Sequence, residues 1–82
     1  AHLARMEPRG AELFGTTVTP DGLDRAAYWL SADSSWVGNP ERLRRLATSG
    51  APTNGFSARA ELLSTEDWLS LNRYLILRYH AK

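Results

Sequence analysis

The sequence predicts a small single α+β domain, with two short strands at about residues 11–19 and 56–63, three helices at about 21–33, 40–49 and 65–80, and an all-α domain as the alternative. Three observations carry this. Apolar residues recur at three- and four-residue spacing over the last third of the chain, three Thr stand with Leu13, Phe14 and Val18 near residue 15, and apolar and polar residues alternate after Phe56.

Residues 1–10 form a lead-in that is short and mixed, with Pro8, Arg9 and Gly10 as a breaker group. From residue 11 onward Phe14, Thr16 and Val18 would share one face of a strand, although Gly15 weakens it. Thr19, Pro20, Asp21 and Gly22 stop that strand and open the first predicted helix, whose inner side is Leu23, Ala26, Ala27 and Leu30 and whose outer side carries Tyr28. Asn39 as cap and Pro40 at the first position start the second helix, with Leu43, Leu46 and Ala47 turned inward and Gly50 and Pro52 closing it.

Phe56, Ala58, Ala60 and Leu62 alternate with polar neighbours as a half-buried strand would, but Ala, Arg, Glu and Leu over residues 57–63 also favour helix. If that segment joins the last helix, the domain is all-helical. The C-terminal helix is the element the core is built on. Ser64 is its cap, Asp67 stands where it can reach back to the Ser64 amide, and Leu63 with Trp68 forms the apolar staple. Trp68, Leu69, Leu71, Leu75, Ile76 and Tyr79 give it one broad apolar face that also contains Asn72, an amide that must find partners there.

Composition narrows the function classes. An apolar fraction of 43% with three Trp, three Tyr and two Phe is enough to fill one core. Ten basic and nine acidic side chains leave a net charge of +1, too little to imply nucleic acid or an anionic membrane on charge alone. The absence of Cys removes thiol chemistry, disulfides and Cys-based metal sites and fits a cytoplasmic protein, and no run approaches the ~18 apolar residues of a membrane span. His2 and His80 lie near opposite chain ends, no Gly-x-Ser-x-Gly turn or phosphate-cradling loop is present, and Asp21 with Asp24 lacks the ligand spacing of a calcium loop. The expectation is a non-enzymatic protein that needs no cofactor and no metal.

What remains is a surplus of aromatic and arginine side chains, the residue types of interface hot spots. Tyr74 and Leu77 fall off the main face of the last helix, Tyr28 off the first, and Trp36 stands in a polar loop; these are the predicted anchors, with Arg42, Arg45 and Arg73 as polar rim. The partner would be another protein or a second copy of the chain. Small inhibitors, antitoxin-like proteins and accessory factors of phages and plasmids share this profile. The alternative is a nucleic-acid-binding accessory protein using Arg42, Arg44, Arg45, Arg59 and Arg78.

Overall fold

A computed structural model describes residues 2–49 and 54–81. Five α-helices follow one another: α1 (His2–Met6), α2 (Pro8–Thr17), α3 (Leu23–Ala32), α4 (Pro40–Ala47) and α5 (Thr65–Tyr79), with 3-10 turns at Pro20–Gly22 and Ala58–Leu62. Among the described residues there is no strand, so the α+β expectation is corrected to an all-α fold. An isolated antiparallel bridge between Val18 and Phe56 is where the two expected strands meet, each at its end.

Residues 11–19 fail as a strand because helical spacing gives them more to bury. Gly10, Leu13 and Thr17 line the inner side of α2. The β-favouring hydroxyls are absorbed locally, Thr16 Oγ1 and Thr17 Oγ1 both donating to the Leu13 carbonyl at 3.2 and 2.6 Å. The lead-in is helical too. Pro8 starts α2 at its first turn, where a missing N–H costs nothing, and Gly10 is a contact point.

The second expected strand, 56–63, is corrected in the same way. Ser57 Oγ accepts from the Arg59 N–H at 3.3 Å and caps the 3-10 helix, which buries Ala60 but turns Leu62 out to 83% exposure. Leu63 and Ser64 are extended, so this turn does not join α5 as the all-helical alternative supposed.

The expected helices stand within two or three residues of their predicted bounds, and the second and third are capped as predicted. Asn39 Oδ1 accepts from Arg42 N, and Ser64 Oγ accepts from Asp67 N, each at 3.1 Å. Asp67 does not close a capping box; its carboxylate receives Arg9 of α2 at 3.1 and 3.2 Å and ties the start of α2 to the start of α5.

Helix α5 packs against α1, α2, α3 and α4 and is the central element. Its buried residues Trp68, Leu71, Asn72, Tyr74 and Leu75 meet Leu13, Val18, Ala26, Leu30, Trp36, Leu43 and Ala47 from the surrounding elements. Helix α2 comes close to α5 at Gly10: a Cβ there would lie 2.5 Å from Tyr74 Cβ and run into the Ser70 carbonyl. A second close approach joins the 54–56 segment to the start of α3. Gly55, at φ +78°, leaves no room for a side chain against Gly22 and Ala26, and its carbonyl accepts from Thr19 N at 3.1 Å.

Asn72 finds its partners in the loop between α3 and α4. Its Oδ1 accepts from Gly38 N at 3.2 Å and its Nδ2 donates to the Trp36 carbonyl at 2.8 Å, so the amide is used up inside one chain.

Candidate partner-binding surface

Helix α3 presents two unlike sides. Its inner side, Ala26 and Leu30, is fully buried. Trp29 stands between the sides: its Nε1 donates to the Asn54 carbonyl at 2.7 Å and its ring lies 5.9 Å from Phe56, which fixes the indole while leaving part of it at the surface. Beyond it Tyr28 projects with 77% exposure, the one exposed aromatic residue among the described residues. Asp24, Arg25, Tyr28 and Trp29 together line an open hollow of about 340 Å³. Neither Asp24 nor Arg25 forms an ion pair among the described residues, so the hollow is an apolar floor with one charge of each sign at its edge.

The other predicted anchors lie elsewhere. Trp36 is fully buried, its Nε1 donating to the Leu30 carbonyl at 3.3 Å, with the His80 ring edge-on at 5.3 Å. His80 is held in the same place: its Nε2, 2.5 Å from the Leu30 carbonyl, must carry the proton because the carbonyl can only accept. Tyr74 is 5% exposed, its ring 5.6 Å from Phe14. Arg78 covers that pair, its guanidinium 4.8 Å above the Phe14 ring and donating to Tyr74 Oη at 3.0 Å. Leu77 is half-buried and Arg73 exposed on α5. Trp36 and Tyr74 are therefore core side chains, and of the large predicted anchors Tyr28 alone stands free on the surface.

The arginines are divided between faces. On α4, Glu41 takes Arg44 through a two-pronged contact and Arg45 at 3.7 Å, while Arg42 Nε donates to Ser35 Oγ at 3.2 Å. Hydrogen bonds from Arg44, helped by the charges of Arg44 and Arg45, hold the Glu41 carboxyl below its usual range. The first turn of α4 lies beside Thr65 and Trp68. Arg78 is ten residues further along α5 than Trp68, about 15 Å, and turned toward α2. Arg59 is exposed on the 3-10 helix Ala58–Leu62. The five residues of the nucleic-acid alternative do not form one stripe.

Three leucines that the sequence placed on inner faces are exposed: Leu23 of α3, Leu62 of the 3-10 helix and Leu69 of α5. Met6 is an exposed large apolar group as well. Arg25 and Asp24 precede Tyr28 by three and four residues, a relation visible in the sequence once Tyr28 is placed on the outer side of a helix. No known family, curated protein or solved structure matches this chain. Among the described residues no helix is long and apolar enough to cross a membrane.

Proposed function

We propose that this domain is a small non-enzymatic interaction module that captures a protein partner through the outer face of α3, with Tyr28 as the anchor. The observation that supports it is the contrast in aromatic packing: Trp36, Trp68 and Tyr74 are buried, Phe14, Trp29, Phe56 and Tyr79 pack against the core, and Tyr28 is left 77% exposed over an apolar hollow. A tyrosine offers a large contact area at the entropic cost of two side-chain torsions, which is why such a residue in such a place works as a hot spot. Arg25 and Asp24 supply the polar rim on this face. An inhibitor or accessory factor that acts by docking on a protein surface, that of another protein or of its own copy, is the activity this arrangement suits.

The test is site-specific photo-crosslinking. A benzophenone side chain at position 28 is expected to give a discrete protein adduct in cells, and the same probe at exposed Arg73 to give a different pattern or none. No adduct from position 28 removes the reading.

A further inference from the structure

We propose that the partner on this face is a second copy of the chain, docked by pairing two α3 helices about a twofold axis; this rests on the interaction reading above. The argument is charge and shape on one patch. Asp24 and Arg25 are adjacent, so they project about 100° apart around the helix and do not face each other. Both line the hollow, both are exposed, and neither is ion-paired among the described residues. A patch that carries both signs beside an exposed ring and a receiving hollow is complementary to itself, and a twofold contact is the arrangement in which one surface meets its own copy.

Register follows from helix geometry. With the axis passing midway between Arg25 and Tyr28 and the two helices antiparallel, each Arg25 lies level with Tyr28 of the other copy, and Asp24 of that copy is four residues away, about 6 Å along the axis. That is within reach of an arginine side chain, which stacks its guanidinium on the ring while its end meets the carboxylate. Each Tyr28 enters the 340 Å³ hollow of the other copy, against Trp29. Helix α3 is 10 residues long, and one face of it covers far less than the roughly 1,200 Å² of a stable complex. The dimer is accordingly weak and populated at high local concentration.

Sedimentation equilibrium across a wide concentration range tests this. The unaltered chain should pass from monomer toward twice its mass, and Tyr28→Ala should weaken the association by about tenfold or more with the circular dichroism spectrum unchanged. Arg25→Glu makes the patch doubly acidic and Asp24→Arg makes it doubly basic, so each variant alone should be monomeric while an equimolar mixture of the two associates. The swapped double variant D24R/R25E should recover association relative to either single variant while staying weaker than the original, because a glutamate at position 25 cannot stack on the Tyr28 ring. A mixture that stays monomeric, or association that survives Tyr28→Ala, overturns the proposal. If the chain is monomeric throughout and position 28 still crosslinks to another protein, the self-pairing is wrong and the interaction reading stands; if neither is seen, both fall.

Discussion

Tyr74 and Tyr28 are the same residue type, each on the side of a helix that its own sequence pattern leaves outside, and they end in opposite environments. Tyr74 is sealed beneath Phe14 and Arg78, and Tyr28 stands in the open. The difference lies in the neighbour. Gly10 brings α2 so close to α5 that Ser70 and Tyr74 are in backbone range, and that approach turns a secondary strip of α5 into core. No element of the described chain reaches over α3 in the same way. A side chain's fate is set by what crosses its helix, and the helix's own periodicity reports only the widest of its buried faces.

The comparison can be broken from its buried half first. Trp36→Ala should be the most damaging single change, about 3–5 kcal/mol, because it empties a fully buried site and removes one donor from the Leu30 carbonyl; urea unfolding would read it directly. Gly10→Ala should cost about 1–3 kcal/mol, since the new methyl must push α2 away from α5, and the loss should appear together with a changed near-ultraviolet signal from Tyr74 and Phe14. Tyr28→Ala should leave stability within about 0.5 kcal/mol of the original, which a thermal melt would establish. A Tyr28 change that unfolds the domain would place that ring in the core after all and erase the contrast.

The smallest expected effect concerns acid. The Glu41 carboxyl is held below its unfolded range by Arg44 first and Arg45 second, so its contribution is present above that range and is lost as pH falls through the depressed value. Glu41→Gln should therefore lower the melting temperature slightly at neutral pH, and the gap to the original chain should close on acidification. Because the pair is exposed, added salt should shrink the same gap.

Caps were the most legible feature of the sequence. Asn39 with Pro40, and Ser64 ahead of Glu66 and Asp67, act through bonds to amides three residues away, so a local reading finds them and both helices begin where expected. The α2 segment was illegible for the opposite reason. Phe14, Thr16, Thr17 and Val18 favour extended backbone one by one, and only the distant α5 makes helical spacing of Gly10, Leu13 and Thr17 worth more. Alternation over 56–63 misled in the same manner: a 3-10 helix repeats every three residues, so Ala60 and Leu62 part company. Of the candidate site, Tyr28 was readable as an outer residue, whereas the burial of Trp36 depended on His80 and Asn72, which the chain brings to it from more than thirty residues away.

That last contact bears on how the chain is made. The loop joining α3 to α4 presents an amide at Gly38 and a carbonyl at Trp36, and both are completed by the side chain of Asn72, 34 and 36 residues later. While the polypeptide is emerging, the first four helices can gather, yet the turn between the third and fourth has its polar groups open until α5 arrives. The last helix thus acts as the closing step of assembly, and the domain should appear in one cooperative event with no stable half-built form before it.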